Sequence, residues 1–205
     1  MPAQLTVPIA SPLLALLADI VHDDFGPVEL SLVRERLALA PVHESGVGEV
    51  GRFVQALAVV QKQTVRETFV WAGRRLVAPV CKARPGWLRD HTSVRTILLQ
   101  LGRVAPTVVE TLIGEGHCPD FWEDFLDGET IQIGFDGPEA VAWVLEGAIA
   151  GLSEHFGERA ELSRGVPPAT LLERRLLNVR VIAERRVTQR GARHAVGLSS
   201  SGQRS

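Results

Sequence analysis

Leu98-Leu99-Gln100-Leu101-Gly102-Arg103-Val104-Ala105-Pro106 is the stretch on which the reading of this chain turns. Together with Val94 and Ile97, it places Leu98, Leu101 and Val104 at intervals of three and four, a single apolar stripe along a helix. The spacing predicts a long helix from about Asp90. Pro106 removes one backbone donor and interrupts or kinks it. Val108, Val109 and Leu112 continue the stripe until Gly114 or Gly116. Near its middle this helix is chemically bare, because Ala105 and Pro106 carry no side-chain lone pair.

Upstream the pattern is helical throughout. Ser11-Pro12 has the chemistry of an N-cap followed by a first helical position. Leu13, Leu16, Leu17, Ile20 and Val21 follow on one face, and Gly26 is the expected cap. A second short helix fits Glu29 to Leu39, and Pro41 to Gly48 reads as a loop. Two helices fit Glu49 to Ala83, broken near Gln61 to Gln63. Thr64 and Glu67 form a capping box, and Val65, Phe69, Ala72, Leu76 and Val80 form the buried stripe behind it. Arg84-Pro85-Gly86 is a turn.

Downstream the period changes. Glu129 to Asp136 alternates apolar and polar residues, which is a strand. Gly137-Pro138 turns into a helix carrying Val141, Val144, Leu145, Ala148 and Leu152 and ending at His155-Phe156-Gly157. Arg159 to Leu162 fits a short strand and Leu176 to Ala183 a strong one. Helices first, then strands around one helix, predict an α+β domain with a helical N-terminal half and a small antiparallel sheet. The expected organisation is a flexible lead-in over 1–10, a single domain over 11–186 (helical part 11–116, sheet-containing part 117–186) and a disordered tail over 187–205.

The 205 residues suffice for one domain with a substantial core, and a hydrophobic content of 45% suits a globular chain. A formal charge of -2 gives no reason to expect nucleic acid as a partner. No signal peptide or membrane span is readable, so the cytoplasm is the expected location, with both thiols reduced. Arginines crowd the end of the chain: Arg174, Arg175, Arg180, Arg185, Arg186, Arg190, Arg193 and Arg204. A strand with one solvated face and a soluble tail is the plainer reading, and a basic docking surface is the alternative. The acidic pairs Asp23-Asp24 and Glu123-Asp124 read as solvated loop charge, since adjacent residues rarely face one another. Gly46-Val47-Gly48-Glu49-Val50-Gly51 fits a phosphate-loop spacing superficially, but no strand precedes it. No motif supports an enzyme.

Several segments, in order over roughly residues 12 to 184, resemble the haem–nitric-oxide/oxygen-binding (H-NOX) sensor family. They are the opening helix ending in Phe25-Gly26, Thr64 to Arg74 with its aromatic before Gly73-Arg74, the Leu98–Pro106 helix, Cys118-Pro119-Asp120-Phe121, and Ala148 to Glu158 with its His155-Phe156-Gly157-Glu158. The resemblance implies an H-NOX-like fold and a sensory role with haem in an interior pocket. The family's haem-holding residues do not carry over. Where the family has its axial His, this chain has Ala105, or Pro106 with a one-residue gap. Where the family grips the haem propionates with Tyr-x-Ser-x-Arg, this chain has Phe135, Gly137 and Glu139. Glu139 reverses the charge of the guanidinium that would pair with a carboxylate, and the chain contains no Tyr.

If iron is held at all, another residue must hold it. His117 and Cys118 are the candidates, in the loop where Pro119 and Phe121 match the family's cofactor-lining Pro-x-Phe. His91 lies fourteen residues before Ala105, about 21 Å away along a single helix, too far to serve the same pocket. His155 belongs to the matched scaffold segment, His22 and His43 read as surface or core residues, and Cys81 reads as packing. The candidate pocket residues are therefore Ala105, Pro106, His117, Cys118, Pro119, Phe135 and Gly137. The implied function is a stand-alone sensory or signalling domain that holds haem or another small apolar ligand and acts through a separate signalling protein. The alternative is a cofactor-free interaction module whose pocket is filled by side chains, with Phe135, Trp71, Trp122 and Trp143 available to supply the volume.

Overall fold

The computed structural model describes residues 12–39, 48–83, 91–106, 119–166 and 174–183. Four helices come first: α1 (Pro12–Phe25), α2 (Pro27–Leu39), α3 (Glu49–Gln61) and α4 (Val65–Ala83). The short α5 (Val94–Leu98) follows, with a further helical segment over 101–106. Then come β1 (Phe121–Phe125), β2 (Thr130–Asp136), α6 (Glu139–Phe156), β3 (Glu158–Arg164) and β4 (Arg174–Ala183). The strands make one antiparallel sheet in the order β1-β2-β4-β3. This is the α+β arrangement that the change of period implies. The lead-in over 1–10, the tail over 187–205, His43, His117, Cys118 and the continuation through Leu112 lie outside the described residues.

The caps follow from local chemistry. The Glu67 amide donates to the Thr64 hydroxyl (3.2 Å) while the Thr64 amide donates to the Glu67 carboxylate (2.9 Å), closing the expected capping box at α4. Gly26 ends α1 at a φ of 103°, a backbone conformation that side chains disfavour, and donates to the His22 carbonyl.

Three local expectations need correcting. The helix expected from Asp90 instead begins after Ser93, whose hydroxyl accepts from the Thr96 amide in a capping box. It breaks at Leu99-Gln100, ahead of Pro106, and residues 101–106 are helical. His91 therefore lies ahead of the helix, not on it. The third correction is β1, a strand that alternation does not announce. Its core-side positions are Phe121, Glu123 and Phe125, an aromatic, a carboxylate and a half-exposed ring. Glu123 is not loop charge: its carboxylate accepts from the Gly102 amide at 2.8 Å and ties β1 to the 101–106 segment.

Two apolar cores share α4 and α6. One gathers Leu17, Val21, Val33, Phe53, Leu57, Phe69 and Ala72 of α1 to α4. The other gathers Ile131, Ile133 and Phe135 of β2, Leu177 and Val179 of β4, Ile97, Leu98 and Leu101, Leu145 and Ile149 of α6, and Val77 and Cys81 of α4. Helices α4 and α6 meet backbone to backbone. A Cβ on Gly73 would overlap the Val144 carbonyl, and one on Gly147 would overlap the Val70 carbonyl. Gly151, one turn along the same face, would meet the Arg74 carbonyl at 2.7 Å.

Candidate functional site

The positions matched to the cofactor grip lie where β2 gives way to α6, and the structure brings several of them together. Strand alternation sends Ile131, Ile133 and Phe135 into the core and Gly134 to the other face. The Phe135 ring is fully buried, 5.4 Å from the ring of Phe121. Gly137 sits beside Phe135 and the Pro119 ring: a Cβ there would lie 3.6 Å from Pro119 Cγ and 3.7 Å from Phe135 Cδ2. Ala105 packs against the same core, whereas Pro106 is exposed. Ala105, Pro119, Phe135 and Gly137 thus border one apolar region, and Pro106 points to solvent.

Beside Phe135 is a set of ion pairs that sequence reading missed. Glu139 and Glu146 lie two turns apart on one face of α6. The Arg164 guanidinium of β3 reaches both, at 3.0 Å from Glu139 and 2.6 Å from Glu146. Arg175 of β4 pairs with Glu139 at 3.2 Å, and Arg66 of α4 pairs with Glu146 at 3.0 Å. Glu146 is buried, with 9% of its side chain exposed. Three guanidinium groups and two carboxylates therefore join α4, α6, β3 and β4. The long sequence separations, eighty residues between Arg66 and Glu146, explain why no local pattern signals them.

Other candidates resolve differently. Cys81 is buried in the sheet-side core, as expected of a packing residue, and burial pushes its thiol pKa up. His22 is exposed, and His155 is exposed with its ring edge-on to Phe156. His91 is buried, and its Nδ1 has no partner among the described residues. Trp71 packs on Phe25 and Trp143 on Phe69, both toward the helical core. Trp122 does not fill the interior: it lies on the opposite face of the sheet, over Gly134, with the Arg174 guanidinium 4.6 Å from its ring centroid. Among the described residues, no three His, Cys, Asp or Glu side chains converge as a metal ion needs.

No family model matches the sequence, and no curated protein matches it. Solved structures do. A crystal structure of an H-NOX protein from S. oneidensis in the Fe(II)NO ligation state superposes with a TM-score of 0.67 at 16% identity, covering 82% of this chain and 97% of that one. The Fe(II) unliganded H-NOX protein from K. algicida gives 0.66 at 14% identity, covering 83% and 95%. An NMR structure of an H-NOX domain from Shewanella oneidensis in the Fe(II)CO ligation state gives 0.67 at 18%, covering 82% and 96%. The chain has the H-NOX fold. At these identities the likeness concerns the fold, and the site must be judged on its own residues.

On that test the described part of this H-NOX fold does not fit haem. Ala105 offers no ligand to iron. Phe135 offers no hydroxyl and is sealed in the core. Gly137 offers no donor and packs on Pro119. Glu139 is a carboxylate held by two guanidinium groups, where a propionate would need a cation. Among the described residues, no helix is long and apolar enough to cross a membrane.

Proposed function

We propose that this chain is a sensory or signalling domain of H-NOX type that acts through a separate partner protein, without the iron bond and propionate grip that the family resemblance implies. One observation carries the reading most directly. Glu139, at the position of the grip's guanidinium, is tied to Arg164 and Arg175, so the protein's own carboxylate satisfies its own cations. The buried Phe135 ring supports it, because a core side chain stands where a hydroxyl would point at ligand. The interior then serves either as a side-chain-filled core or as a pocket for a small apolar ligand that needs no charged clamp. The described residues suggest no catalytic constellation, and a binding role in the cytoplasm is the reading retained.

A second reading keeps haem, through His117 or Cys118. It is favoured by the placement of Pro119 against Gly137, which brings the residue next in sequence to Cys118 beside the grip position. The test is a haemin titration of the full chain, followed by absorption, alongside the His117→Ala/Cys118→Ala double variant. A broad band like that of free haemin in both proteins is the expected result. A sharp Soret band saturating at one equivalent in the wild type, and lost in the double variant, would overturn the proposal in favour of the relocated bond.

A further inference from the structure

The β1–β2 hairpin is the most acidic stretch of the chain, and β4, the strand that precedes the most basic stretch, reaches the hairpin through Arg180. Residues 120–129 hold five carboxylates, Asp120, Glu123, Asp124, Asp127 and Glu129, and no basic residue. β1 is an edge strand, paired only with β2 among the described residues. At its end Phe125 and Leu126 are each 52% exposed. An edge strand with carboxylates flanking exposed apolar side chains is a ready surface for a basic, extended segment.

The register says which segment. Arg180 of β4 stands opposite Thr130, the first residue of β2. Its guanidinium binds the Glu129 carboxylate through Nε (2.9 Å) and a second nitrogen (2.5 Å). β4 then runs on to Ala183, alongside the hairpin turn, so the chain enters residues 184–205 at this end of the sheet. Those residues carry Arg185, Arg186, Arg190, Arg193 and Arg204 against one carboxylate, Glu184.

The carboxylates of the hairpin are unequally engaged. Glu123 holds the Gly102 amide, Asp127 accepts from the Glu129 and Thr130 amides, and Glu129 holds Arg180. Asp120 and Asp124 are exposed and make no ion pair among the described residues; Asp124 accepts only from the neighbouring Phe125 amide.

We infer that the β1–β2 hairpin is an intramolecular dock for the arginine-rich segment 184–205, which runs along the β1 edge from Asp124, the acceptor nearer the turn, to Asp120 at the opposite end of the strand. Arg180 on Glu129 is the first contact of that series, made by the last strand before the segment begins. A short tether makes even a weak contact count, because it holds the arginines at an effective concentration in the mM range. Docking in this way withholds those arginines from any acidic surface of a second protein. The inference deepens the proposed signalling role by supplying a regulated partner contact, but it does not depend on what the interior holds.

Trypsin, which cuts after arginine, tests it on the full chain. Cleavage after Arg190 and Arg193 is timed in the wild type, in the Asp120→Asn/Asp124→Asn variant, and in a synthetic peptide of residues 184–205. The expected result is cleavage about threefold slower in the wild type than in the peptide at low salt, as when the effective concentration is about twice the dissociation constant. Protection should vanish in the variant, and in the wild type at about 0.5 M salt, where screening shortens the reach of charges to about 4 Å. The variant should keep the wild-type circular dichroism spectrum and melting temperature, because both aspartates are exposed. Cleavage at the peptide's rate, protection that survives both aspartate changes, or protection that rises with protein concentration would each overturn the intramolecular dock. The last would assign the segment to a second copy. None of these readouts involves haem, so the haemin titration and this test fail independently.

Discussion

Phe53 and Phe135 are both fully buried phenylalanines, one in each core, and their surroundings differ. Phe53 of α3 belongs to a core with Leu17 of α1, Val33 of α2 and Phe69 of α4, side chains of neighbouring helices packed by their own periodic stripes. Phe135 lies between the sheet, the α5 region and α6, opposite Arg175 of β4, which belongs to a set of ion pairs drawn from four elements. The helical core is what an amphipathic sequence gives when its stripes meet. The sheet-side core borders ion pairs that join α4, α6, β3 and β4 across long sequence separations. The contrast teaches that one fold can hold a core set by local apolar stripes beside a core bordered by long-range charge pairs.

Phe135→Ala should be the sharpest blow to the sheet-side core, costing about 3–5 kcal/mol by loss of burial and creation of a cavity. Phe53→Ala should cost a similar amount if both cores are equally sealed. Urea denaturation of the two variants measures this, and a much smaller loss at Phe135 would mean that the space beside it is already open. Phe135→Tyr sharpens the same question. A hydroxyl placed in a closed apolar site without a partner should cost about 1–3 kcal/mol, whereas a neutral outcome would reveal room for the family's ring.

Gly147→Ala strikes the seam that joins the two cores. Because the added methyl meets the Val70 carbonyl, the helices must part, at about 1–3 kcal/mol. The equivalent exchange at exposed Gly128, which would meet nothing within 4 Å, is the control by urea denaturation.

Thr64→Ala should cost about 1 kcal/mol through the α4 cap alone. It would show as a lowered melting temperature with no change in the haemin spectrum.

The smallest effect is that of pH. Hydrogen bonds from Thr64 hold the Glu67 pKa below its ordinary value, and the Glu129 and Thr130 amides do the same for Asp127. Carboxylates depressed in the folded state add stability that is present above their unfolded pKa, about 4, and is lost as pH falls through the lower folded value. Melting temperatures scanned downward from pH 5 should therefore fall less steeply in Glu67→Gln and Asp127→Asn than in the wild type.

The legible parts of the fold were those whose signal is local. The capping box at Thr64 and Glu67, the Gly26 cap, the stripe of α1 and the alternation of β2 and β4 each follow from residues within a few positions of one another. The order of segments from Phe25-Gly26 to His155-Phe156-Gly157 was enough to name the fold. That Ala105 carries no ligand atom for iron and Phe135 no hydroxyl was also readable. What escaped was set by distant partners. β1 has a carboxylate at its inward central position because Glu123 serves the Gly102 amide, twenty-one residues away. The break at Leu99-Gln100 lies within an apolar stripe that local periodicity reads as continuous. Trp122 looked like interior volume until the register placed it over Gly134.

The sequence by itself determined the caps at Gly26 and Thr64, the buried faces of α1 and α4, and that Ala105 offers no iron ligand and Phe135 no hydroxyl, because these depend on residue chemistry and short-range spacing. Only the tertiary structure decided that Glu139 and Glu146 are held by Arg66, Arg164 and Arg175, and that Arg180 of β4 meets Glu129 at the acidic hairpin. Both depend on which strands pair and in what register, and antiparallel pairing brings together charges that lie dozens of residues apart along the chain.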